Sequence, residues 1–179
     1  YVCARELAKL GATVLLLNRE SSRSTASLEK LRAEVPTGSF EAITCDLQDF
    51  DNVRAAAAKI RDGHEKLDVL CNNAGVMALP RSLTADGFEM QIGTNHLGHF
   101  ALTGLLLDRL KAAEGARIIN VASLAHAYGK IDFDDLMGER SYSKWLRYCQ
   151  SKLANLLFTF ECHRRLTAAN VAITCAASH

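Results

Sequence analysis

In the segment Leu10-Gly11-Ala12-Thr13-Val14-Leu15-Leu16-Leu17-Asn18-Arg19, a glycine closes a helix and an unbroken apolar run of strand length follows. Upstream, Val2, Leu7 and Leu10 recur at helical spacing, and Gly11 supplies the stop. A strand without polar alternation is expected where helices cover both faces of a parallel sheet. The same alternation of elements continues outward. A polar stretch leads to a helix over residues 27–34, broken by Pro36-Thr37-Gly38, and then to a strand over 40–45 that ends at Asp46-Leu47. A helix over 51–60 and a strand over 67–71 come next, with Asn72-Asn73-Ala74-Gly75 at that strand's end. Residues 88–113 form a long helix and 117–121 a strand. After a polar excursion, a helix over 144–167 leads to a last strand over 171–175. Strands alternating with helices over the whole length predict one α/β domain, 1–179, built on a parallel sheet.

With 179 residues and 49% hydrophobic content, the chain can bury one substantial core. Its formal charge is +1 with basic residues spread along the sequence, which indicates neither a nucleic-acid footprint nor a funnel for acidic substrates. A small-molecule substrate is the better expectation. The six cysteines, at 3, 45, 71, 149, 162 and 175, lack C-x-x-C spacing and mostly sit in apolar runs, so they read as core thiols of an intracellular, reducing compartment. No apolar run reaches the length of a membrane span, and no metal site is indicated.

Ligands of parallel α/β sheets bind outside the carboxyl ends of the strands. Asn18-Arg19, Asp46-Leu47, residues 72–75 and Ser123 all fall at such ends. Downstream, Tyr148-Cys149-Gln150-Ser151-Lys152 sets a phenol and an ammonium four residues apart. On a helix that is an advance of about 400°, so the two side chains share one face. A free phenol holds its proton to about pH 10, and a neighbouring ammonium favours the phenolate, which suits acid–base catalysis nearer neutrality. Each feature alone has a plainer reading: an i,i+4 pair on a helix, a strand-end turn at Ser123, a helix cap or kink at Asn95.

Taken together, N-N-A-G at 72–75, N-H-L-G-H-F at 95–100, N-V-A-S at 120–123 and Y-C-Q-S-K at 148–152 resemble the short-chain dehydrogenase/reductase family over essentially all 179 residues. The N-H-L-G-H-F-x-L-T-x-L-L-L run, the I-D-F-D-D-L segment and S-K-L-A-N-x-L-F are most similar to the branch of retinol dehydrogenases and WW-domain-containing oxidoreductases. So is the 25-residue spacing from Ser123 to Tyr148 (148 − 123), which the excursion through residues 131–136 lengthens.

The resemblance implies a Rossmann-like, doubly wound sheet and a catalytic set of Asn95, Ser123, Tyr148 and Lys152. Tyr148 would pass a proton to or from the substrate oxygen while a nicotinamide gives or takes a hydride. Ser123 would hydrogen-bond that oxygen. Lys152 would tune the phenol and hold the ribose, and the Asn95 main chain would bind a relay water. Asp46 and Leu47 would meet the adenine, with Asn73, Ala74 and Gly75 under the adenosine and ribose, where glycine permits close backbone approach. At the second strand end, Asn18 and Arg19 stand where NAD-preferring sites carry a carboxylate, so Arg19, assisted by Arg23, points to the 2′-phosphate of NADP. By the same resemblance, His96 and His99 belong to helix packing. Trp145 and Met137 lie near the substrate side or are simple packing residues.

Two parts of the family pattern are absent. The T-G-x-x-x-G-x-G turn with its strand would precede Tyr1, and a P-G turn, substrate loop and final strand would follow His179. The implied sheet order, 3-2-1-4-5-6-7, puts the missing first strand between the strands at Thr13 and Val69, so the chain reads as a fragment with little activity of its own. The expected function is NAD(P)-dependent interconversion of an alcohol and a carbonyl on a lipophilic substrate such as a retinoid, steroid or fatty aldehyde. In the complete protein a homodimer through the two long helices is expected. One alternative is a dinucleotide-responsive regulator or scaffold that has lost turnover. Another is a different reductase branch, such as the light-dependent chlorophyll-precursor reductases.

Overall fold

The computed structural model describes residues 1–179, which form two compact units, Tyr1–Asp46 and Leu47–His179. The first contains α1 (Val2–Lys9), β1 (Thr13–Asn18), α2 (Ser22–Glu34) and β2 (Ser39–Thr44). Gly11 takes φ 86° between α1 and β1, the left-handed conformation that glycine adopts without strain. Helix α2 starts at Ser22, five residues before the sequence pattern places it. Ser21 explains the early start: its Oγ accepts the Ser24 N–H at 3.1 Å while Ser24 Oγ accepts the Ser21 N–H, a reciprocal cap. Strands β1 and β2 pair in parallel, Thr13 with Ser39 through Asn18 with Thr44. The apolar run Val14–Leu17 is only half-buried, because β1 has a partner on one edge alone.

The second unit carries α3 (Phe50–Gly63), β3 (Val69–Asn72), a short α4 (Met90–Ile92), a π-helical turn (Gly93–Leu97), α5 (Gly98–Lys111), β4 (Arg117–Val121), a 3-10 turn (Leu124–Tyr128), α6 (Lys144–Ala168) and β5 (Thr174–Ser178). Its sheet is parallel in the order β3-β4-β5. The five strands therefore form two sheets, and β1 and β3 each pair on one side only. Asp49 caps α3 through its side chain, and Val53, Ala56, Ala57 and Ile60 form the buried stripe of that helix. No helix is long and apolar enough to cross a membrane.

Two further elements differ from the sequence expectation. The last strand begins at Thr174 because residues 171–173 complete the exit from α6: Val171 N–H bonds to Leu166 O at 2.9 Å, and Asn170 takes φ 55°. The helix expected over 88–113 is broken by the π turn. Glycines flank that turn where the backbone passes close to its neighbours. A Cβ on Gly93 would sit 2.5 Å from Thr84 Cγ2, and one on Gly98 would sit 2.6 Å from the Leu47 carbonyl oxygen.

A buried polar chain ties this sheet to the helices on it. Asn72 Nδ2 donates to Thr103 Oγ1 at 3.0 Å and to Asn120 Oδ1 at 2.8 Å, and Asn120 Nδ2 donates to Thr159 Oγ1 at 2.9 Å. Such bonds are stronger in a low-dielectric interior than in water and fix one relative position of β3, β4, α5 and α6.

Candidate active site

Asn95 lies inside the π turn and is fully buried. Widened turns of this kind shift side chains off the regular helical lattice and often mark functional positions. Its amide is saturated: Oδ1 accepts the Val76 N–H at 2.7 Å, while Nδ2 donates to Val76 O and to Ser151 Oγ, both at 2.9 Å. Ser151 Oγ donates in turn to the Tyr148 carbonyl at 2.8 Å. One side chain thus joins the end of the 72–75 turn to the middle of α6. The Asn95 carbonyl accepts from His99 Nδ1 at 2.9 Å.

Lys152 is 4% exposed, and its Nζ donates to the Val121 carbonyl at 3.0 Å and lies 5.8 Å from the centre of the Tyr148 ring. Burial lowers the pKa of this ammonium. Tyr148 is half-buried on the same helix face, as the four-residue spacing requires. Ser123 follows β4 by two residues in extended conformation, and its Oγ accepts the Ala125 N–H at 3.2 Å, capping the 3-10 turn that packs on α6. Gly129 makes that packing close: a Cβ there would be 2.6 Å from the Cys149 carbonyl oxygen.

Asn73, Ala74 and Gly75 are exposed beyond β3. A Cβ on Gly75 would lie 3.2 Å from Asn95 Oδ1 and 3.6 Å from Lys152 Nζ, so the glycine leaves an open face beside the lysine. Of the expected set, Asn95, Lys152, Tyr148 and Gly75 therefore converge, and Ser123 stands on the turn packed against their helix. Leu47 is buried against Gly98, so its side chain is a core contact.

The remaining expected cofactor residues belong to the first unit. Asn18, the last residue of β1, and Arg19 after it are exposed, and Asp46 is half-buried two residues beyond β2. Asn18 and Arg19 line a shallow cleft of about 300 Å³ together with Ser21, Arg23, Ser24 and Leu16. Glu20, the nearest carboxylate in sequence, accepts a hydrogen bond from Thr44 Oγ1 at 3.0 Å. Hydroxyls and two guanidinium groups lining one cleft suit a phosphate monoester.

Sequence reasoning missed the supports of these residues. Arg147, beside Tyr148, donates to Asp135 O at 2.6 Å, Asp135 Oδ2 at 2.8 Å and Ser141 O at 2.9 Å, with the two side chains 7% and 8% exposed. Burial would raise the Asp135 carboxyl, but the N–H groups of Arg140, Ser141 and Glu139 and the Arg147 charge hold it below its ordinary pKa. Gln150 accepts the Asp132 N–H and donates to Leu136 O, both at 3.1 Å, so two side chains of α6 grip the excursion between β4 and that helix. Met137 takes part in this packing, its sulfur accepting the Glu89 N–H at 3.3 Å, whereas Trp145 is exposed. His96 contacts Asn155 Oδ1 at 3.2 Å and two phenylalanine rings. Ser151 was visible within the pentapeptide at 148–152. Only the fold shows that it meets a side chain 56 residues away.

The cysteines divide differently from the sequence reading. Cys45 and Cys149 are buried, Cys162 and Cys175 are half-buried, and Cys3 and Cys71 are exposed. Cys71 alternates outward on β3 and Cys3 sits on the outer face of α1, because strand and helix periodicity override the apolar run around each.

The chain is 48% identical over 171 residues to human retinol dehydrogenase 13, a match that covers 95% of this chain and 52% of that protein. It spans about half the length of the curated relatives it matches. A crystal structure of an uncharacterized protein from Mycobacterium paratuberculosis is 50% identical with a TM-score of 0.88, over 99% of this chain and 62% of that one. A metagenomic short-chain oxidoreductase solved in complex with NADP is 26% identical with a TM-score of 0.74, over 97% of this chain and 74% of its own. The family model described as short chain dehydrogenase matches residues 1–178. With Asn95 and Lys152 beside Gly75 and Tyr148 on the helix face of Lys152, that match establishes that the chain belongs to the short-chain dehydrogenase family.

Proposed function

We propose that this chain carries the proton-transfer side of an NADP-dependent oxidoreductase that interconverts an alcohol and a carbonyl on a lipophilic, retinoid-like substrate. The observation that supports this most is the approach of Gly75 to Asn95 and Lys152, which sets an exposed backbone turn against a buried ammonium. In this reading Tyr148 holds the proton exchanged with the substrate oxygen, and Ser123 donates a hydrogen bond to that oxygen as charge develops. Lys152 and the Asn95 main chain complete the proton path. Asn73, Ala74 and Gly75 form the bed for the adenosine and ribose, and Asp46 and Leu47 are assigned to the adenine. The bound dinucleotide would supply the hydride. The family match across residues 1–178 supports assigning both compact units to one oxidoreductase domain.

The preference for NADP over NAD rests on Arg19 and Arg23 in the cleft after β1, with Asn18 in place of an acid. The substrate class rests on the likeness to retinol dehydrogenase 13. Phe100, Leu157 and Phe160 are exposed on α5 and α6, which supports pairing of two copies through those helices. The test uses the longest reading frame that contains this chain, assayed for NADPH-dependent reduction of retinal. Turnover should be present and should vanish in Tyr148→Phe while NADPH binding persists. Equal turnover in the variant would end the reading, and binding without turnover in the parent would favour a regulatory protein.

A further inference from the structure

The two half-buried cysteines face each other across an element boundary. Cys162 lies on α6 between Thr159 and Leu166, the inward positions that bury against the sheet. Cys175 lies on β5, paired in register with the fully buried Ile118 of β4. Their sulfurs are 3.1 Å apart. That is about 1 Å more than a disulfide bond, a gap that side-chain rotation closes without moving either backbone element far.

We propose that Cys162 and Cys175 are a thiol pair that small-molecule disulfides of the glutathione type oxidise reversibly to an intramolecular disulfide. The step balances as two exchanges. The Cys162 thiolate attacks one sulfur of the small disulfide, forms a mixed disulfide and releases one thiolate, which takes up a proton. Cys175 then loses its proton and attacks Cys162 Sγ, expelling the second small thiol. Two protein thiols lose two electrons, and one small disulfide becomes two thiols. The hydrogen bond from Cys175 favours the Cys162 thiolate, so the attacking and resolving roles fall to different residues. Neither cysteine is buried, which leaves the pair open to a small oxidant. The bond would fasten the C-terminal half of α6, whose other half carries Tyr148 and Lys152, to the edge of the sheet.

The test needs no enzymatic activity. The reduced 179-residue chain is equilibrated with graded ratios of oxidised to reduced glutathione, alkylated, and digested with trypsin without reductant. Peptides 153–164 and 166–179 should appear as one linked species, lighter than their sum by two hydrogens. Because the second exchange is intramolecular, half-conversion should need roughly tenfold less oxidant than glutathionylation of exposed Cys3. Cys162→Ser and Cys175→Ser should each abolish the link and leave a glutathione adduct on the remaining thiol. In denaturant the preference for this pair should weaken. Oxidation should raise the thermal midpoint of the native chain, and dithiothreitol should reverse it. Links scattered over the six cysteines, or a pair alkylated after oxidation as readily as Cys3, would overturn the proposal.

Discussion

The surroundings of Asn95 and those of Arg19 show two different ways of preparing for a ligand. Asn95, Ser151 and Lys152 are almost inaccessible, and each polar atom has its partner within the protein. Arg19 and Arg23 stand exposed on the rim of a shallow cleft, with hydroxyl groups between them. The difference follows from the chemistry proposed for each. Proton transfer needs a geometry fixed before substrate arrives, and a buried hydrogen-bond network supplies it. Holding a phosphate needs charge within reach, and flexible guanidinium groups provide that without a dry interior.

The contrast can be broken by experiment, most forcefully at Arg147. Arg147→Met should lower stability clearly more than loss of a surface ion pair does, because it removes a guanidinium, itself buried, that holds the Asp135 side chain and the Asp135 and Ser141 carbonyls. Urea unfolding checks it, and a loss below about 1 kcal/mol, the scale of a surface pair, would show that the excursion is not locked to α6. Asn95→Ala should cost about 2–4 kcal/mol, since it removes the partner of the Val76 N–H and carbonyl and the donor to Ser151 Oγ while keeping its own carbonyl. A near-neutral result would mean that the turn at 72–75 is held by something other than the amide.

His99 sharpens the same comparison through pH. Burial is the main cause that lowers its pKa to about 4, from an ordinary 6.5. The unfolded chain therefore binds a proton in a window where the folded chain does not. The stabilisation is whole above about pH 6.5 and is lost as pH falls to about 4, by at most about 3 kcal/mol. His99→Gln should flatten that part of the stability profile relative to the parent, measured by urea midpoints across the window. Arg19→Ser should act least, weakening NADPH binding about tenfold in the longest reading frame, leaving NADH binding unchanged and reducing the salt dependence of affinity. A large loss of stability in Arg19→Ser would erase the distinction between the two regions.

Where the sequence was legible, local physics carried the signal. Gly11 and the run to Leu17 announced a helix-to-strand junction, and the strand over 117–121 was read without error. The start of α2 was missed because a serine–serine reciprocal cap is a weaker pattern than an apolar stripe. The break in the helix over 88–113 was missed because no residue in it forbids an α-helix. Gly93 and Gly98 are there because Thr84 and Leu47 come close, contacts that the helix pattern over 88–113 does not contain.

The sequence alone determined the parallel α/β alternation and the residues able to do acid–base work, since periodicity and side-chain chemistry are properties of neighbours along the chain. Only the tertiary structure decided that Asn95 is bound to Val76 and Ser151, that Arg147 clamps Asp135, and that Cys162 meets Cys175. Each of these joins separate elements, and such pairings form only when burial of the core brings distant segments together and makes an unpaired polar group too costly to leave.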